Sequence, residues 1–594
     1  MQFSWIRELK ARLESQYKLQ GRIELEPCPE EMEGDITINC FRMAKSYRAR
    51  PEQLTATCLE FLQSRPEIEK VYSIRGFVNI LLKPEELMKG TVANIDRLIP
   101  PNLVSEKDKR RILIEYSAPN TNKPLHLGHL RNNSLGMALV KILKRVGHEV
   151  IAVNLINDRG IHICKSMLAY MRWGNNITPE EAGKKGDHLV GDFYVQYAKA
   201  YKEEVDQLKR IHPEWAEKDE EELFLQTELG KATQELLRRW EDGDPEVRAL
   251  WERMNRWVLD GFEETYRRMG VSFDKVYYES ETYQLGKAIV EEGLRKGIFQ
   301  RRQDGAIMVD LSEYKLNSKV LLRSDGTSVY ITQDLGTTVL KAEDFRPDQM
   351  IWVVGDEQIH HFKVLFAICK KLGYPWADSL YHLAYGMVHL PHGRMKSREG
   401  TVVDADDLFD ELHRLAKKEI LSRVGEDIPD DLEHRAEVIG MGSLKFMLLK
   451  VNPQTTMKFD PDAAVQFEGD TGALVQYACA RIASIERKAQ EQEVDPEVDW
   501  SLLSHPKERE LAVLCGFYPE ILRRAAQELD TCILANYLLM VARKFNSFYH
   551  ECPIICGEGL TPRLRAARLA LAQRVRSVLT DGLQSLTIDT LESM

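Results

Sequence analysis

No stretch of these 594 residues approaches the uninterrupted apolar length that a membrane crossing needs. The first eight residues, Met1-Gln-Phe-Ser-Trp-Ile-Arg-Glu8, lack the basic start and apolar run of a secretory leader. The ten cysteines are scattered. Only Cys552 and Cys556 are spaced like a pair, and no second pair or histidine cluster completes a zinc site. Reduced thiols, a cytoplasmic location and no protein-held metal are therefore expected. Positive charge is not in excess either. A net charge of −11 excludes a chain that coats nucleic acid indiscriminately, although local basic patches can still contact phosphates. One candidate patch is Arg563, Arg565, Arg568, Arg574 and Arg576, a stretch without a carboxylate that reads equally well as a solvated helix face. There is no internal repeat and no low-complexity tract. At this length a single core is implausible, so three or four domains are expected.

What is present concentrates in Tyr116-Ser-Ala-Pro-Asn-Thr-Asn-Lys-Pro-Leu-His-Leu-Gly-His-Leu-Arg131. An apolar run (Ile112, Leu113, Ile114) precedes it. Leu135, Leu139, Ile142, Leu143 and Val146 follow at helical spacing and stop at Gly147, and Val150 to Leu155 reads as a second buried strand. This strand–turn–helix–strand unit places His126-x-Gly128-His129 at a helix N-terminus, where open parallel sheets bind phosphates. Gly128 allows close approach of a nucleotide, and the two imidazoles can donate to phosphate oxygens as charge builds. The competing reading is a pair of capping histidines on an ordinary helix.

Residues 1–105 form a first unit. Helical patterns (Trp5, Leu9, Leu13; Leu54, Cys58, Leu62) alternate there with a strand-like Gly76–Leu82, and Ile99–Asn102 with the charged run to Arg111 reads as a linker. A sheet-and-helix catalytic unit spans 106–460, interrupted by a polar helical insertion at about 175–260. Strands are predicted at Ala306–Asp310, Ser328–Thr332 and Met350–Val354, with a hairpin turn through Ser324–Thr327. From about 405 onward no strand is predicted, and 461–594 reads as all helix. The expected fold class is multidomain α/β: a Rossmann-like parallel-sheet catalytic domain, an α+β N-terminal domain and an all-α C-terminal domain.

With its histidine loop in this context the chain resembles class I aminoacyl-tRNA synthetases, and further landmarks make it resemble the arginyl-tRNA synthetases. They are Asn154–Ser166, Val329-Tyr-Ile-Thr-Gln-Asp334, Val354-Gly-Asp-Glu-Gln-Ile-His-His361, Phe467–Tyr477 with Ala480–Ile485, and, in the first unit, Gly34–Asn39 and Gly76–Asn79. The resemblance implies ATP-dependent activation of L-arginine and its transfer to the 3′ end of the arginine tRNA. Mg2+ would accompany ATP, and a monomer is expected. It places arginine against Glu115, Asn120, His126, Tyr330, Asp334 and Gln358. ATP would lie against His126, Gly128, His129, Met387 and Lys396. The tRNA would meet Phe77 and Asn79 in the first unit and Tyr477, Arg481, Asn546 and Tyr549 in the last. A guanidinium is planar, permanently charged and rich in donors, so carboxylates at strand ends suit it; the alternative for Asp334 is a helix cap.

One departure matters. The class usually carries a second loop, Lys-Met-Ser-Lys-Ser, whose second lysine steadies the triphosphate. Here Gly393-Arg-Met-Lys-Ser-Arg-Glu-Gly400 has Ser397 at that place, with Lys396 and Arg398 beside it. Lys123, three residues before His126, is the other candidate, because the resemblance implies that a lysine there can take over the task. The catalytic set is thus Lys123, His126, His129 and Lys396. Two other functions compete: a nucleotidylyltransferase for small substrates, which would need neither flanking domain, and an inactive paralogue that only binds RNA or protein.

Overall fold

The computed structural model describes residue 1 and residues 3–29, 31–391, 403–424 and 427–594. Its centre is a five-stranded, wholly parallel sheet in the order Leu380–Tyr385, Gln349–Gly355, Arg111–Glu115, Glu149–Ile156, Lys275–Tyr278. The chain runs outward from Arg111–Glu115 on one side and returns on the other, so the order reverses between that strand and Gln349–Gly355. Open sheets bind ligands at the carboxyl ends of such a pair. Both strands are almost entirely buried apolar sequence, as a sheet covered on both faces requires. The predicted helix after the histidine turn is Leu127–Val146, ended by Gly147 in the left-handed conformation at φ 113°.

The N-terminal unit packs the helices Ser4–Tyr17, Cys40–Tyr47 and Pro51–Gln63 on a four-stranded antiparallel sheet that contains Phe77–Leu82. Trp5, Leu9, Leu13, Leu54, Cys58 and Leu62, the residues of its periodic pattern, are all buried. The insertion is helical as expected, dominated by Gly186–Ile211, Glu228–Glu241 and Pro245–Met269.

Two expectations fail. Ser328–Thr332 is not a strand: a single bridge joins Leu322 to Ser328, and the helix Tyr330–Phe345 begins directly. The Val-Tyr-Ile-Thr composition favours a strand locally, but Ile331 and Leu335 bury one helical face, and packing outweighs propensity. The region beyond 405 is not purely helical, because Met457–Lys458 pairs in parallel with Val388–His389. Two residues leave no periodic signal.

The basic stretch near the C-terminus makes contacts within the protein. Arg563 pairs with Asp499, Arg568 with Glu508, and Arg576 with Glu486 at 2.7 Å and with Glu592. Arg574 donates to the Val92 carbonyl of the N-terminal unit, and Arg565 to the Glu493 carbonyl. These guanidiniums stitch helices and domains together. All ten cysteines are free, Cys552 buried and Cys556 exposed.

Candidate active site

The strand Arg111–Glu115 ends in a turn that bends backwards, with Ser117 and Ala118 at φ 80° and 47°. Two buried asparagines hold that strained backbone. Asn132 Oδ1 accepts from Ser117 N–H at 2.6 Å and Asn154 Oδ1 from Ala118 N–H at 3.0 Å. Asn132 also donates to the Val353 carbonyl at 2.8 Å, so one side chain ties the histidine helix to both central strands.

His126 is the cap residue of the helix and His129 lies in its first turn. Gly128 N–H donates to His126 Nδ1 and His126 N–H to His129 Nδ1, each at 3.2 Å. The rings lie 3.9 Å apart between centroids. A Cβ at 128 would come within 3.0 Å of the His126 ring, so glycine here makes room for that imidazole as well as for a ligand. Burial, with Lys123 adding to it, pushes His126 down to about 3 and His129 well below the usual histidine range. Both are neutral at physiological pH. Because each Nδ1 accepts, each proton resides on Nε2, which is therefore a donor. Capping and ligand donation are compatible: the cap fixes the tautomer that donation needs.

Lys123 is half-buried, and desolvation pushes its ammonium below the usual lysine range. Among the described residues it has no carboxylate partner. It lines a cavity of about 220 Å3 together with His126, His188, Tyr194, Asp404 and Asp407. The second loop, with Lys396, Ser397 and Arg398, lies outside the described residues, but the chain on either side of it is anchored beside the histidines. On the near side, buried Arg131 donates to the carbonyls of Met387, Pro453 and Thr455 at 3.3, 3.1 and 2.8 Å. The Met387 carbonyl also accepts from Met457 N–H, so it is committed internally. On the far side, Leu127 N–H donates to Val403 O and Ala405 N–H to Leu125 O, and His126 bridges Asp404.

The residues expected at the amino-acid side divide. Asp334 is not a cap: Val329 holds the cap position, and Asp334 lies in the second turn of Tyr330–Phe345. Its carboxylate is 38 % exposed and bonds His361 Nε2 at 2.6 Å. Tyr330, one turn earlier, is 75 % exposed. Gln358 ends the short turn after Gln349–Gly355, and Asn120 follows the bent turn; both are exposed. Glu115 is buried and paired with buried Lys341, two helical turns beyond Asp334, so in this structure it is closed by an internal cation where Asp334 is not. Sequence reasoning missed Glu279, at the end of the edge strand Lys275–Tyr278. Burial pushes its carboxyl up to about 7, with Arg159 opposing and Asp158 and Asp334 reinforcing the shift. A strand-end carboxylate after Tyr277-Tyr278 was the available signal.

In the helical domain Tyr477, Arg481, Asn546 and Tyr549 converge. Arg481 donates to the Tyr477 hydroxyl at 2.8 Å and to Asn546 Oδ1 at 3.3 Å, and its guanidinium lies 5.4 Å from the Tyr549 ring centre. In the N-terminal unit Phe77 lies 5.8 Å from Phe41, a half-exposed ring not singled out from sequence. Asn79 is fully buried, donating to Met32 Sδ at 3.2 Å, with its Oδ1 unpartnered.

Three family descriptions match this chain in order: the arginyl tRNA synthetase N-terminal domain over 4–82, the class I (R) tRNA synthetase catalytic domain over 97–460, and the DALR anticodon binding domain over 475–594. The arginine–tRNA ligase of Parabacteroides distasonis is 44% identical over 97% of this chain and 96% of its own length. The chain belongs to the arginyl-tRNA synthetase family. The Treponema pallidum arginine–tRNA ligase is 43% identical over 97% of this chain and 95% of its own. The solved arginyl-tRNA synthetase of Thermus thermophilus superposes with a TM-score of 0.81 at 27% identity, covering all of both chains.

Proposed function

We propose that this chain performs the arginyl-tRNA synthetase reaction with the following division of labour. The ATP triphosphate lies on the first turn of Leu127–Val146, taking hydrogen bonds from His126 and His129 Nε2–H and the favourable end of the helix dipole. An oxygen of the arginine carboxylate attacks the α-phosphorus. The bond to the β-phosphate breaks, pyrophosphate leaves, and arginyl-adenylate remains. The histidines are neutral donors, so Lys123 supplies the full positive charge at the leaving group, with Lys396 as a second cation from the other loop. The adenine lies toward Gly128 and Met387. A hydroxyl of the terminal tRNA nucleotide then attacks the acyl carbon and releases AMP.

Arginine occupies the crevice where the strand order reverses. Asp334 meets the guanidinium, Glu279, 3.7 Å from Arg159, adds negative potential only once it gives up its proton, Tyr330 covers the guanidinium, and Asn120 and Gln358 hold the α-amino and carboxylate ends. Phe77 with Phe41, and the cluster around Arg481, meet the tRNA by stacking and phosphate contacts. Asp187, His188 and Asp406 come close enough together to suggest a metal. Lys185 bonds Asp406 and lies 3.3 Å from Asp187, so that cluster already holds a cation and does not fit a resident ion. Mg2+ is read as part of the substrate, carried on the phosphates of ATP. The working unit is a monomer in the cytoplasm, with domains at 1–105, 106–460 and 461–594.

The observation that supports this reading best is the meeting of Lys123, His126 and His129 at one helix N-terminus, next to the point where the strand order reverses. The test is ATP-dependent transfer of labelled arginine to total tRNA. Labelled arginine on a base-labile ester, with AMP and pyrophosphate formed, is expected. ATP–pyrophosphate exchange driven by another amino acid, or none with tRNA present, contradicts it.

A further inference from the structure

None of the residues given a part in the proposed reaction belongs to the helices inserted between Glu149–Ile156 and Lys275–Tyr278, yet one of these helices supplies His188 and Tyr194 to the Lys123 cavity and leans on the site at two places. Gly191, within Gly186–Ile211, faces the turn that carries Lys123: a Cβ there would meet the Pro124 ring at 2.8 Å and lie 3.6 Å from Lys123 Cα. The missing side chain lets the helix seat directly on that turn. The second contact runs through the returning segment Val403–Asp406. Lys185, the cap residue of the same helix, bonds Asp406. His188 Nε2 lies 3.3 Å from Asp406 Oδ2 and 3.4 Å from Asp404 Oδ2. Thr265, from Pro245–Met269, donates to Asp406 Oδ1 at 3.1 Å. Asp404 in turn bridges His126, while Val403 and Ala405 pair with Leu127 and Leu125. The insertion thus touches both flanks of residues 123–127.

We propose that Lys185, His188 and Gly191 are positioning residues, through which the inserted helix sets where Lys123 and His126 stand against the nucleotide. This rests on the reading of the His126 turn as the ATP site. The backbone pairings of the turn survive without them, so the turn remains formed. Its cation and donors are then displaced, and a displacement near 1 Å can cost about a hundredfold in rate. Contacts made mainly in the transition state suffer most. None of the residues assigned above to arginine or to tRNA belongs to this set.

The experiment uses the full-length enzyme as Lys185→Met, Lys185→Arg, Gly191→Ala and His126→Ala. Arginylation kinetics are normalised to folded protein, alongside tRNA binding and thermal melts. Lys185→Met and Gly191→Ala should each lower kcat by about tenfold or more and raise the KM for ATP, with arginine KM and tRNA affinity within about twofold of the parent. Lys185→Arg should restore most of the loss. Gly191→Ala adds a good helix former, so it keeps the helix should Lys185→Met fail to fold. A lower melting temperature with unchanged kcat and ATP KM overturns the proposal, as does weakened tRNA binding with normal ATP kinetics. If His126→Ala also leaves ATP kinetics unchanged, the nucleotide reading itself fails. If it impairs them while Lys185→Met and Gly191→Ala do not, only the positioning role is lost.

Discussion

Glu115 and Asp334 are both carboxylates near the carboxyl ends of one parallel sheet, and both suit a guanidinium by residue type and place in the chain. Their surroundings separate them. Glu115 is buried and closed by Lys341, which is itself within reach of the Tyr277 and Trp352 rings. Asp334 is partly solvated, and its partner His361 is a group that can be neutral. A charge removed from water on folding must find its counter-charge then, and the chain supplies one. A carboxylate left half in water can wait for a ligand. Residue type and place in the fold nominate a ligand group; its counter-charge and its contact with water bear on whether it is open to one.

The largest effect that sharpens this contrast is on stability. Lys341→Met leaves Glu115 buried and unpaired, which should cost about 3–5 kcal/mol in urea or thermal unfolding. The double variant Glu115→Gln, Lys341→Met should regain much of that, because both charges are gone. Arginine selectivity of the surviving folded enzyme should change little. A Lys341→Met enzyme of normal stability with altered arginine preference would reopen Glu115 as a ligand.

On the nucleotide side, Lys123→Ala should lower kcat for arginylation by about a hundredfold, roughly 3 kcal/mol of transition-state stabilisation, and leave arginine KM nearly unchanged. Near-normal kcat for Lys123→Ala together with a collapse for Lys396→Ala would move that role to the second loop.

A smaller effect concerns Glu279. Its folded carboxyl is raised to about 7, above its ordinary value, so the folded state holds the proton more tightly. The associated stability is present at low pH and is lost as pH climbs from the ordinary carboxylate range through about 7. An arriving guanidinium reverses the preference and expels that proton. Arginine KM should therefore fall by up to about tenfold between pH 6 and pH 8, and the slope should flatten in Glu279→Gln. A pH-independent arginine KM in the parent enzyme removes Glu279 from the pocket.

Much of this was legible in the chain. The histidine helix, its Gly147 stop, the flanking strands, the insertion and the three-part organisation all follow from long periodic runs and one strongly placed motif. Other features depend on what lies across the fold. Lys341 stands two helical turns from Asp334, and nothing local marks it as the partner of Glu115. The Ser328–Thr332 segment has strand composition and turns helical from Tyr330 because Ile331 and Leu335 have a core to bury into. The pairing of Val388–His389 with Met457–Lys458 spans the whole second-loop region and involves two residues from each side. Arg481 illustrates the opposite case: its four-member cluster was named residue by residue through family resemblance, and the fold brings all four together.

The most direct test of the open-carboxylate claim is the ratio of kcat/KM for arginine to that for citrulline, measured by pyrophosphate exchange with tRNA present, in the parent enzyme and in Asp334→Asn. A carboxylate pairs with a guanidinium through two parallel charged hydrogen bonds and gains nothing ionic from the neutral analogue. Asp334→Asn keeps the shape and removes the charge, so the arginine term should fall by about 2–5 kcal/mol while the KM for ATP barely moves, collapsing the ratio. An unchanged ratio in a variant that merely melts earlier would contradict the selecting role of Asp334.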